Sequence, residues 1–103
     1  MKKTKLKAPP HLSDQAKKLW RSTVENYNID PQAGMVLQAG LEALDRREQA
    51  RQAIAADGAT IKDRWNVEKV SPWVAIERDS AATLCKCFRL LGFDLSQAGE
   101  RKR

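Results

Sequence analysis

Residues 30–58, DPQAGMVLQAGLEALDRREQARQAIAADG, decide the architecture. The stretch opens on Asp30-Pro31. Aspartate there can cap free N–H groups, and proline suits the first helical position, where no N–H is required. It closes on Asp57-Gly58, with glycine as the residue that follows the last turn. Between them stand Val36, Leu37, Gly40, Leu41, Leu44 and Ile54, interrupted by the charged run Asp45 to Arg51. The pattern predicts one helix over residues 31–56, about 38 Å long at 1.5 Å per residue. A chain of 103 residues builds one modest core, too small to cover one whole side of such a helix. Its far half is expected to stand in solvent, to pack on a hairpin, or to pack on another copy.

Toward the amino terminus, Ala16, Leu19, Trp20, Thr23, Val24 and Tyr27 recur at helical spacing. With Ser13 as the capping residue they predict a helix over residues 13–27. Lys17, Lys18, Arg21 and Glu25 fall mostly on its other side. Toward the carboxyl terminus, residues 59–70 lose the helical period. Thr60, Ile61, Trp65, Val67 and Val70 have strand propensity, and Trp65-Asn66 suits a turn. A short β-hairpin or extended loop is expected there, lying against the long helix, because a lone hairpin is marginal in water. Ser71-Pro72 repeats the cap-then-proline start, and Gly92 supplies a stop. Ile76, Ser80, Leu84, Cys87, Phe88 and Leu91, widened by Trp73 and Ala81, form the stripe of a helix over residues 72–91. The fold class is mainly α, with three helices and disordered basic termini. The division expected is a basic arm over residues 1–10, a single domain over 11–95 and a basic tail over 96–103.

The net charge of +6 is unevenly placed. Lys2, Lys3, Lys5 and Lys7 stand at one end and Arg101, Lys102 and Arg103 at the other, with no acid among them. Residues 9–100 hold 12 basic and 13 acidic residues and are close to neutral. Two polycationic arms suit a polyanion, since lysine and arginine that neutralise phosphates release condensed counterions. Alternatively they are solubilising ends.

Catalytic readings lack parts. There is no glycine-rich phosphate loop, and the one histidine, His11, has no nucleophile placed beside it. With Cys85 and Cys87 it makes too few and too scattered ligands for a zinc site. The two cysteines point roughly 200° apart on a helix, so one is expected inward and one outward. Glu42, Asp45 and Glu48 alternate with Arg46, Arg47 and Arg51 at i,i+3 and i,i+4 spacing, which suits an ion-paired face better than a metal cluster. Neither a metal nor a cofactor is expected. Trp20 belongs to a core stripe, whereas Trp65 and Trp73 flank the hairpin and could equally be core or stack on bases. Pro31-Gln32-Ala33-Gly34 is a poor leading turn for a DNA-reading helix, which disfavours a helix-turn-helix. No apolar run approaches the ~20 residues that span a bilayer. No apolar segment follows the lysine-rich start, so export is not indicated.

Pro9, Leu12, Ala16 and Trp20 match a "Pro-x-x-Leu-x-x-x-Ala-x-x-x-Trp" start, and Pro72, Ile76 and Arg78 match a "Pro-x-x-x-Ile-x-Arg" opening of a later helix. The last helix closes on Leu91-Gly92-Phe93. In this order, over about residues 9–95, they resemble the P27-like family of phage terminase small subunits. The resemblance implies a non-catalytic protein of the infected bacterial host's cytoplasm. It would form a ring with copies of itself, bind double-stranded viral DNA, and deliver it to the large ATPase and nuclease subunit, with no membrane partner. DNA contact is then expected from Lys2, Lys3, Lys5, Lys7, Arg101, Lys102 and Arg103. The subunit interface is expected on the long helix. Val36, Leu37, Leu41 and Leu44 would divide between core and interface, and Arg46, Arg47, Glu48 and Arg51 would pair across subunits. A small DNA-binding regulator acting as monomer or dimer, and a protein-only adaptor, are the alternatives.

Overall fold

The computed structural model describes residues 6–92. Three helices and a two-stranded hairpin follow one another: α1 (Asp14–Asn26), α2 (Pro31–Asp57), β1 (Thr60–Lys62), β2 (Glu68–Val70) and α3 (Pro72–Leu90). Each helix starts where its capping residue places it. Ser13 Oγ accepts from the Ala16 N–H, Asp30 Oδ1 from Ala33 N–H, and Ser71 Oγ from Trp73 N–H. Pro31 and Pro72 occupy first-turn positions. Gly58 ends α2 at φ +89°, with its N–H on the Ile54 carbonyl, a left-handed conformation that a side chain would strain.

Helix α2 spans about 40 Å, and α3 runs back along it for about 28 Å. Their antiparallel sense follows from two contacts: Gly40 lies against Cys87 and Phe88, while Arg51 Nε lies 3.5 Å from Glu77. The seam between them is made of small residues. Gly40, Ala43 and Ala50 are buried on α2, as are Ser80 and Cys87 on α3. A Cβ at Gly40 would come within 3.1 Å of the Cys87 Cβ, so glycine here permits close backbone approach. Cys85 is exposed and Cys87 buried, the inward and outward pair expected from their spacing. The surplus length of α2 thus packs on α3, a solution absent from the three expected for it.

Helix α1 covers only the first half of α2. Ser13 touches Asp45, and Trp20 approaches Gly34, so α1 begins beside the middle of α2 and ends near its start. In this half Leu12, Ala16, Trp20, Leu37, Leu41 and Leu44 form the core, with Val24, Leu84, Phe88 and Leu91 packed around it. Leu6 and Ala8 join them. The Trp20 indole N–H donates to the Leu6 carbonyl at 3.1 Å, and Leu6 Cδ1 fills the notch that Gly34 leaves open. Of the expected basic arm, the described residues 6–10 bring apolar Leu6 and Ala8 onto the core. Past Ala50 the molecule is a two-helix arm tipped by the hairpin.

Candidate interaction surfaces

The residues expected to mediate assembly separate by burial. Leu37 and Leu41 are 0 % exposed and Leu44 is also buried, all inside the chain's own core. They take the core share of the expected division, and no second molecule reaches them without unfolding the first. Val36 is half-buried and remains at the surface, as do Arg47 and Glu48; Arg46 and Arg51 are exposed. Arg51 is engaged within the chain, 3.5 Å from Glu77 and 3.9 Å from Glu48. Of the expected DNA contacts, Lys7 is exposed. Lys2, Lys3, Lys5, Arg101, Lys102 and Arg103 lie outside the described residues.

A polar groove beside α1 and the middle of α2 gathers His11, Ser13, Glu42, Asp45 and Arg46. His11 and Glu42, and Ser13 and Asp45, are spent on one another. Asp45 accepts both the Ser13 N–H (2.9 Å) and the Ser13 hydroxyl (2.6 Å), while that hydroxyl oxygen receives the Ala16 N–H. Glu42 Oε2 lies 2.6 Å from His11 Nε2 and accepts from Gln38 Nε2 at 3.0 Å. The Gln38 amide first, then His11, hold the Glu42 carboxyl below its ordinary value. Ser13 is thus a helix cap tied to Asp45, and the groove fastens the start of α1 to α2. Among the described residues, no group of three or more His, Cys, Asp or Glu side chains is placed to hold a metal.

The hairpin is the most exposed built element. Its register is Thr60 with Val70, Ile61 with Lys69, and Lys62 with Glu68, and all six strand residues are exposed. It projects from the helices, contrary to the expectation that it would lie on α2. Asp63 explains how a lone ribbon stands. Its Oδ1 accepts the N–H groups of Trp65 (2.9 Å) and Val67 (3.0 Å), and Lys69 Nζ lies 3.5 Å from its Oδ2. The Asp63 N–H donates to the Val67 carbonyl and its carbonyl accepts from Asn66, which takes the left-handed conformation at φ +64° that asparagine tolerates. The Val67 N–H chiefly, with that of Trp65 and the Lys69 ammonium, holds the Asp63 carboxyl below its ordinary value. At the base, Ser71 N–H donates to the Ala59 carbonyl at 2.8 Å.

This scaffold carries Trp65 at its tip, 69 % exposed, with the Arg64 guanidinium 4.5 Å from the ring centroid. Ile61 and Val70 lie on opposite faces of the ribbon in this register and are both exposed, as are Val67 near the turn and Trp73 at the start of α3. Of the three tryptophans only Trp20 is core, as its stripe predicted. The organising role of Asp63 was missed at the sequence level. The signal was present: Asp63 and Asn66 are both residues that fold back on their own backbone in turns.

The opposite end of the helix pair holds a second, open groove. It is lined by Tyr27 and Ile29 after α1, Asp30 and Val36 of the α2 start, and Leu90 and Leu91 at the close of α3. Leu90 is 68 % exposed. Among the described residues, the lining contains no lysine or arginine.

Among the described residues, no helix is long and apolar enough to cross a membrane. Comparison with curated proteins gives no match, and neither does comparison with solved structures. A family model does match, the one described as phage terminase, small subunit, over residues 16–102. That span holds α2, α3, the hairpin and all of α1 but its first two residues. The chain belongs to the phage terminase small subunit family and so to the machinery of phage DNA packaging.

Proposed function

We infer that the chain is a P27-like small subunit that assembles into a ring, holds viral double-stranded DNA and passes it to the large subunit. The ATPase and nuclease chemistry resides in that partner, and this chain is non-catalytic. The observation that carries the assembly is the two-helix arm. Among the described residues no third helix covers it past Ala50, and Ile61, Trp65, Val67, Val70 and Trp73 are all exposed near its end. Several large apolar side chains left exposed at one end of a small protein suit a protein interface. Val36 supplies apolar surface at the other end, and Arg46, Arg47, Glu48 and Arg51 would form a charged rim.

The DNA contacts are assigned to Lys2, Lys3, Lys5 and Lys7 and to Arg101, Lys102 and Arg103. A ring multiplies each weak phosphate contact by its number of copies and so gains avidity. The setting is the cytoplasm of the infected host. Salt dependence of duplex DNA binding tests the assignment. Removing residues 1–8 is unsuitable, because Leu6 and Ala8 belong to the core packing. The combined Lys2→Gln, Lys3→Gln and Lys5→Gln variant keeps both. Each lysine that neutralises a phosphate contributes about 0.9 to the slope of log K against log salt. The variant should weaken binding to all sequences alike and flatten that slope. An unchanged slope would clear the amino-terminal arm of DNA contact. Absence of binding by the wild type at low salt would favour a protein-only adaptor.

A further inference from the structure

The geometry points to a knob-in-groove contact between copies: the Trp65 hairpin of one subunit seats in the Ile29–Val36–Leu90 groove of the next. This rests on the ring reading above and deepens it by naming the two surfaces. The hairpin follows the end of α2, whereas the groove is built from the start of α2 and the end of α3. About 40 Å of helix separates the two. One chain therefore cannot seat its own tip in its own groove, so a hairpin that fills the groove must come from another copy.

Three observations fit a second copy as that occupant. The first is shape. A side chain as large as tryptophan is held out on a rigid turn by the Asp63 hydrogen bonds, and the groove is open and bordered by apolar Ile29, Val36, Leu90 and Leu91. A buried aromatic anchor of this kind, removing about 150–250 Å² from water, commonly dominates an interface. The second is charge. The hairpin carries Lys62, Arg64 and Lys69 against Asp63 and Glu68; Glu68 stands opposite Lys62 and Lys69 lies by Asp63, which leaves Arg64 at the tip as the surplus charge. Among the described residues the groove offers Asp30, the cap of α2, and no cation. The third is symmetry. Two different surfaces at opposite ends make a heterologous contact, the type that repeats around a ring when the rotation closes.

The test is complementation read by native mass spectrometry. Trp65→Ala removes the knob and leaves the groove; Leu90→Arg blocks the groove and leaves the knob. Both side chains are exposed, and arginine at the end of α3 suits the helix dipole, so circular dichroism should match the wild type. Each variant alone should lose assembly and remain a monomer. Mixed in equal amounts they should form a heterodimer and stop, because only one intact knob-and-groove pair exists in the mixture. Wild-type size for Trp65→Ala overturns the contact, including the case in which the groove takes the chain's own residues 93–103. So does a mixture that stays monomeric, or a Leu90→Arg variant that still assembles. A monomeric wild type would instead sink the ring reading itself. A wild-type dimer with successful complementation would keep the contact and refute the ring.

Discussion

Leu41→Ala separates core from interface more sharply than any other single change. Leu41 is fully buried among Leu12, Ala16, Trp20, Leu37 and Leu44. Truncation to alanine removes three carbons, about 2.4 kcal/mol of transfer free energy at ~0.8 kcal/mol per methylene. The cavity left behind adds to this, so the expected loss is about 3–4 kcal/mol. Domains of this size have roughly 5–15 kcal/mol in total. The melting temperature should therefore fall by roughly 15–25 °C. Urea unfolding followed by circular dichroism measures it, run at two protein concentrations to separate intrachain stability from assembly. Val36→Ala, at a half-buried position, serves as the comparison and should cost much less. A Leu41→Ala loss below about 1 kcal/mol, or one that appears only on dilution, would show that the core assignment is mistaken.

Asp45→Ala should cost about 1–2 kcal/mol, since Ser13 loses the acceptor of both its N–H and its hydroxyl while remaining the cap of α1; a melt indistinguishable from wild type would count against the clasp. Gly40→Leu should destabilise by about 1–3 kcal/mol or more, because a Cβ there already meets Cys87 at 3.1 Å and Phe88 at 3.4 Å. An unchanged urea midpoint would mean that α2 and α3 part easily. The depressed carboxyls of Glu42 and Asp63 contribute stability above their unfolded values, taken as 4.5 and 3.8, and lose it as pH falls through the lower folded values. Acid should therefore loosen the α1 clasp and the hairpin tip. The Trp65 and Val67 amide resonances should follow Asp63 with a midpoint below 3.8, and a midpoint at or above it would contradict the turn geometry.

Helices were legible in the sequence because their start signals are local. Ser13, Asp30-Pro31 and Ser71-Pro72 act within one turn, and the observed bounds fall within a residue of those expected. The hairpin was legible from the break in period at residue 59, but its placement was not. Whether a ribbon lies on a helix or projects from it depends on the Asp63 network and on what α3 already covers. The partition of Val36, Leu37, Leu41 and Leu44 was equally hidden. All four are apolar at helical spacing, and the path of α1 from Asp45 toward Gly34, with α3 beside it, buries three of them. Leu6 and Ala8 were concealed by the lysines around them. The groove at Ile29, Val36 and Leu90 joins residues about sixty positions apart, which no local pattern reports.

Native mass spectrometry of the wild-type protein at moderate salt is the most direct test of the central claim. A single closed species of many copies, stable on dilution, is the result predicted for a small terminase subunit whose exposed hairpin and groove are covered by neighbours. A monomer unmoved by concentration or by added DNA would contradict it.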